Sequence, residues 1–172
     1  MAITEEILER CRQCCLAAKQ TLLTLSEGRF LDPTTVIIRR RAADISAEAS
    51  FALLRRAFIT PLDREDVWQL CYRAERLWRE SENTALRVQG AKERCRSFDM
   101  VYKAADCCDV LHVAMERFPN PFDVASVYSV IEDLHCRLLR ETDSVLTDNL
   151  FCVAAACDDL LFWLQYVLLK HG

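Results

Sequence analysis

Apolar residues return every three or four positions along almost the whole chain, the period of α-helices laid against a core. The first stretch runs from about Thr4 to Ser26, with Ile7, Cys11, Cys14, Ala18, Leu22 and Leu25 on one stripe, and Gly28 follows as a stop signal. A second begins near Pro33, reaches about Phe58 and is closed by Pro61. It carries two stripes: Ile38, Ala42, Ile45, Ala49 and Ala52 on one side, and Ala43, Ala47, Phe51, Leu54 and Phe58 on another. Two stripes predict packing against helices on both sides. The third stretch opens at Asp63, where Asp66 three residues on makes a variant capping box. Its seam is Val67, Leu70, Ala74, Leu77, Ser81, Ala85 and Val88, and Gly90 marks a break. The fourth uses Phe98, Val101, Ala105, Cys108, His112 and Met115. After the loop FPNPFD, with Pro119 and Pro121, the fifth uses Val124, Val127, Ile131, Leu134 and Leu138. A weak break from Thr142 to Thr147 precedes a sixth helix that is apolar on most sides. The pattern predicts one all-α domain over residues 1–172, an antiparallel bundle of six helices in two sets of three.

Composition supports this. Glycine and proline together number 3 and 4 in 172 residues, far below the usual share of about 12%. Collagen-like, linker-rich and turn-rich all-β chains are excluded. A chain of this length buries roughly 70% of its unfolded surface, so it needs neither disulfide nor metal to fold.

The charge balance is mildly acidic, 22 basic against 26 acidic residues for a net −4. This lacks the basic excess of a nucleic-acid binder, and no nucleic-acid partner is expected. Arg39-Arg40-Arg41 and Arg55-Arg56 form the basic clusters. They read as an anion or phospholipid contact, or as a solvated helix face paired with nearby acids. Lysine occurs only at positions 19, 92, 103 and 170. The positive charge is therefore mostly arginine, which suits fixed, bidentate pairing.

The chain has ten cysteines, and its start, MAITEEILERCRQ, is acidic and polar rather than signal-like. The thiols are therefore expected in a reducing cytosol, and the protein in the cytoplasm. No run approaches the roughly 18 apolar residues of a membrane span. The apolar LLFWLQYVLL near the C-terminus is interrupted by Gln165 and preceded by Asp158 and Asp159, and reads as a buried helix.

Cys11-x-x-Cys14-Cys15 invites a metal or redox reading, yet a structural zinc site needs four ligands and no second Cys-x-x-Cys exists. Cys11, Cys14 and Cys157 fall on helix seams and are expected to be buried thiols; Cys136 and Cys152 are undecided. His112, His135 and His171 are not spaced three or four apart, and His112 lies on an apolar face. No nucleophile elbow or glycine-rich phosphate loop is present. The reading is therefore not an enzyme, with no catalytic residue and no cofactor.

The segment FITPLDREDV, Phe58 to Val67, is a rigid turn between two long helices. With Ala43-Asp44-Ile45 upstream and the closing LLKHG, it resembles the PhoU-like phosphate transport regulators, which usually carry Phe at the place of Leu62. The resemblance follows the whole helical order and is strongest from about Asp44 to Glu75. It implies two pseudo-repeated three-helix bundles, about residues 1–90 and 91–172. It also implies a cytosolic regulator linked to a Pit-type inorganic phosphate permease. The implied partner is the transporter or its regulatory partner, with the protein peripheral to the membrane at most and a homodimer plausible.

Many members of that family bind metal through an acid-x-x-x-acid pair on each long helix. Acids four apart share a helix face, and oxygen-rich sites suit Mg, Mn or oxidised iron. The matching positions here are Arg40 and Asp44, Glu75 and Arg79, Cys136 and Arg140, and Phe151 and Ala155. Two acids remain, beside guanidiniums that keep their charge near neutral pH. The metal site is therefore expected to be lost. A hairpin centred between residues 59 and 60 sets Arg40 diagonal to Glu75 and Asp44 diagonal to Arg79, each pair about 5.4 Å apart along the axis. The expectation is a four-member ion-pair network of Arg40, Asp44, Glu75 and Arg79 in place of the metal. Three rivals remain: a metal-binding helical bundle using Asp44, Glu48, Glu75 and Asp159; a thiol sensor, which needs an exposed thiol of low pKa; and a helical scaffold that kept the fold and lost the phosphate connection.

Overall fold

The computed structural model describes residues 3–56, 62–90, 98–141 and 144–171. It has six helices: α1 (Ile3–Ser26), α2 (Pro33–Arg56), α3 (Arg64–Gly90), α4 (Asp99–Arg117), α5 (Val124–Leu138) and α6 (Val145–His171). No strand occurs among the described residues, so the all-α expectation holds. Phe58 and Pro61, and Thr142 in the weak break, lie outside the described residues.

The helix ends follow local chemistry. Gly28 takes a positive φ of 69°, and the next N–H, of Arg29, donates back to the Thr24 carbonyl at 3.1 Å, which closes α1. Asp32 caps α2 by accepting from the Thr35 N–H at 2.9 Å, with Pro33 as the first helical residue. Asp123 caps α5 through the Ser126 N–H at 3.2 Å.

The core is a ring of four helices, in which α1 packs on α3, α3 on α6, α6 on α4, and α4 on α1. Its fully buried side chains include Ile7, Leu22, Leu70, Leu77, Leu111, Met115, Leu150 and Leu160. Burying each contributes roughly 1.5–3 kcal/mol. α5 lies against α4 and α6, adding Ile131, Leu134 and Leu138 to the core. α2 rests on α1 and α3 far more lightly than any other helix rests on its neighbours.

The structure corrects the reading of α2. Only one stripe is covered: Val36, Ala47, Ser50 and Leu54 are buried, with Ala43 and Phe51 half-buried beside them. The other stripe, Ile38, Ala42, Ile45, Ala49 and Ala52, faces outwards with no helix over it among the described residues. Both stripes have the same periodicity, and the ring of α1, α3, α4 and α6 is already closed, so α2 has one place to dock and one free side.

The apolar character of α6 also exceeds the sequence expectation. Its most apolar 18 residues have a mean hydropathy of 1.5, enough by length and composition to cross a membrane. In this fold 44% of that window is buried inside the bundle, where α3, α4 and α5 surround it.

Candidate functional site

The sequence points to the seam between α2 and α3, and that seam is polar. Glu82 of α3 has a side chain with 0% exposure. A buried carboxylate is costly unless paired, and two consecutive arginines of α2 pair it. Arg40 Nε donates to one Glu82 oxygen at 2.6 Å and Arg39 Nη2 to the other at 3.0 Å. The Arg40 fork also reaches the Arg79 carbonyl at 3.1 Å and Asn83 Oδ1 at 3.0 Å. One turn further along α2, Asp44 accepts from Arg79. This second pair is open to water, with side chains 52% and 33% exposed.

The four residues expected to form one network are divided between separate partners. Asp44 and Arg79 come together. Arg40 bonds Glu82 rather than Glu75, seven residues and about 10 Å further along α3. Glu75 has a partner from a third helix. Arg10 of α1 donates to it through Nε at 2.9 Å and Nη2 at 2.6 Å, and the same Nη2 reaches the Ala43 carbonyl of α2 at 2.5 Å. Burial works to lower the Arg10 pKa, but the bond and charge of Glu75 outweigh it and leave it raised. Arg10 was missed from sequence because a hairpin drawn from α2 and α3 alone omits α1. A charged residue such as Glu82 also reads as solvated unless its two arginines are placed first.

A second polar cluster ties the start of α3 to the end of α6. Asp66, 2% exposed, accepts from Lys170 at 2.9 Å and pairs with His171 at 2.8 Å, while Lys170 also reaches Asp63 at 2.6 Å. The Trp163 indole N–H donates to the Asp66 carbonyl at 3.3 Å. The hydrogen bonds that Lys170 donates to both acids raise its pKa, and the bond from Lys170 lowers that of Asp63. The capping-box pair of the sequence reading therefore also clamps two helices, using the Lys-His of the closing LLKHG.

The positions assigned to metal by resemblance do not fit a cation. Arg40 and Arg79 bring positive charge to the α2–α3 seam. On the other pair of helices, Cys136, Arg140 and Ala155 are exposed and Phe151 is half-buried, its ring 6.4 Å from that of His135. The acids available to a metal-dependent reading are engaged: Asp44 by Arg79, Glu75 by Arg10, and Asp159 by Arg73 and Arg76 at 3.2 and 3.1 Å. Glu48 is exposed, on the rim of an open cleft beneath the C-terminal half of α2. Among the described residues, one group of His, Cys, Asp and Glu converges closely enough to ligate an ion, Asp63, Asp66 and His171. The Lys170 ammonium already occupies its two carboxylates.

Among the described residues the thiols divide cleanly. Cys11, Cys14, Cys15, Cys71, Cys107, Cys108 and Cys157 are buried, while Cys136 and Cys152 are exposed. A hydrogen bond with Cys71 and then burial push Cys11 well up, and Cys157 is pushed up in the same way beside Cys108. Burial does the same for Cys14, Cys15 and Cys107. Such thiols are protonated and poorly reactive, the opposite of what a sensor built on them needs. His112, expected in the core, is part-buried, 4.0 Å from Glu116.

No family model matches the sequence, and no curated protein matches it. Solved structures do. Two crystal structures from Shewanella oneidensis MR-1, one of a PhoU-like protein and one of a protein provisionally described as a PhoU-like phosphate regulatory protein, each superpose with a TM-score of 0.61. Each is 12% identical, over 98% of this chain and 100% of the other. The resemblance read from the turn between α2 and α3 is matched by the architecture, and the chain has a PhoU-like fold.

Proposed function

We propose that this chain is a cytoplasmic regulator of inorganic phosphate transport. It acts by protein–protein contact with a phosphate permease of the Pit type, or with that permease's regulatory partner, and does no chemistry on phosphate. The observation that carries this reading is the whole-chain match to a PhoU-like fold, supported by the arginines that pair with carboxylates in the α2–α3 seam. The fold supports the class of function. That pairing supports a mechanism without a resident cation, because Arg40, Arg79 and Arg10 fill the α2–α3 seam and engage its carboxylates. What then remains for regulation is surface contact.

The test is phosphate uptake in the native host with and without the gene, at limiting and replete phosphate, alongside crosslinked capture of membrane partners by the tagged chain. The proposal expects uptake to change and a phosphate permease or its regulator to be captured. Unchanged uptake at both concentrations, with no transporter captured, would refute it and leave a scaffold that has kept only the fold.

A further inference from the structure

The uncovered stripe of α2 has a specific geometry. Ile38, Ala42, Ile45, Ala49 and Ala52 are spaced four, three, four and three residues apart, and all are exposed, Ile38 by 62% and Ile45 by 70%. Alternating steps of three and four form the seam of a two-helix coiled coil, whereas α2 meets its own bundle through a different set of residues. The seam alternates large isoleucine with alanine, so a facing helix can approach closely. Arg41 and Glu48, seven residues apart, stand on the same flank of the seam, and both are exposed.

That flank identifies the partner. Opposite charges seven apart on the same flank pair with each other across two copies only when the two helices run antiparallel. With the two-fold axis between Ala42 and Ile45, Arg41 of each copy faces Glu48 of the other, Ile38 faces Ala49, and Ala42 faces Ile45. A parallel pair would set Arg41 against Ser46 and Glu48 against Leu53, with no opposite charge across the seam. The helix ends agree, because the antiparallel arrangement brings Asp32 at the start of α2 towards Arg55 and Arg56 at its end. A surface complementary to itself in both shape and charge is the mark of an isologous interface. We propose that the outer face of α2 is a homodimer interface, closed by antiparallel pairing of α2 from two copies of this chain. This proposal rests on α2 alone and stands independently of any role in phosphate transport.

The experiment is sedimentation velocity on the full reduced chain, with far-UV circular dichroism to confirm that each variant is folded. The wild type is expected to be dimeric by about 100 µM. Ile45→Glu buries two carboxylates beside the two-fold axis and should abolish the dimer while keeping helicity. Arg41→Glu and Glu48→Arg each replace two attractive pairs by two repulsive ones, and each alone should weaken dimerisation by about tenfold. Mixed in equal amounts, these two variants should form a heterodimer of near wild-type affinity, because every flank pair is then opposite in charge. The double variant Arg41→Glu with Glu48→Arg should likewise recover the dimer. A monomeric wild type overturns the proposal, as does a dimer that survives Ile45→Glu or a mixture that fails to restore pairing.

Discussion

The Glu82 clamp makes a quantitative demand on stability. Glu82 is wholly buried, and its nearer partner Arg40 is 23% exposed, so this pair behaves as an interior ion pair. Removing one partner of such a pair costs about 3–5 kcal/mol, because the other charge is left uncompensated. In Arg40→Leu the Glu82 carboxylate keeps Arg39, but that side chain is 47% exposed and makes a single bond at 3.0 Å. The loss should therefore fall near the lower end, about 3 kcal/mol, equivalent to roughly 6–12 °C in Tm for a domain of this size. Glu82→Leu should cost less, since Arg40 retains the Arg79 carbonyl and Asn83 and reaches water. The double variant removes both charges and should lose only about 1 kcal/mol, giving a coupling of at least about 2 kcal/mol between the two sites. Urea unfolding followed by circular dichroism and by the fluorescence of Trp68, Trp78 and Trp163 measures all four proteins, and coincident transitions license the two-state treatment. A coupling below about 0.5 kcal/mol would mean that Glu82 is solvated and that α2 is not clamped through it.

The other predictions test the neighbouring assignments. The Asp44–Arg79 pair is exposed, so a double-mutant cycle on it should return only about 0.2–1 kcal/mol and should shrink in high salt. Under native conditions at mildly alkaline pH, a thiol reagent should label Cys136 and Cys152 quickly, and the seven buried cysteines only on unfolding; fast labelling of Cys11 or Cys157 would contradict the packing of the ring. Protein purified without chelator or metal-affinity resin should carry less than about a tenth of an equivalent of iron, manganese or zinc by elemental analysis, and a stoichiometric ion would show that the ligands lie elsewhere. Lys170→Met should destabilise through the tie between α3 and α6. Because the Lys170 pKa is raised above 10.5 and that of Asp63 lowered below 3.8, its stabilisation is full between those values. It fades as pH climbs through the raised Lys170 value or falls through the lowered Asp63 value. A wild-type-minus-variant difference that varied between pH 5 and 9, as read by thermal melts, would refute this assignment.

Much of this was legible in the sequence because it is local. Gly28, Pro33 and the FPNPFD loop punctuate the periodic stretches, and the helices begin and end within a few residues of them. The buried thiols Cys11, Cys14 and Cys157 followed from their places on helix seams. What was not legible depended on a third body. The two stripes of α2 are equally apolar, and only the closed ring of four helices decides which is covered. Arg40 and Glu75 suit each other in a hairpin, yet Arg10 arrives from α1, far away along the chain, and takes Glu75 first. Lys170 and His171 could be read as a family-like last turn, while their role as ligands of Asp66 needs α6 laid beside α3.

The arginines of the α2–α3 seam also bear on what controls α2. On our proposal that the ion pairs stand where the related proteins would hold a cation, the positive charge that joins α2 to α3 belongs to the chain. A chelator has nothing to remove. Protonation has little purchase either, since arginine keeps its charge across the physiological range. Salt reaches the exposed Asp44–Arg79 pair but is largely excluded from the buried Glu82. Docking of α2 is then constitutive rather than gated by metal, and its outer stripe is presented at all times. In such a protein the variable is whatever occupies that stripe, so a signal would enter through association at Ile38, Ile45 and Ala52 and not through an ion between the helices.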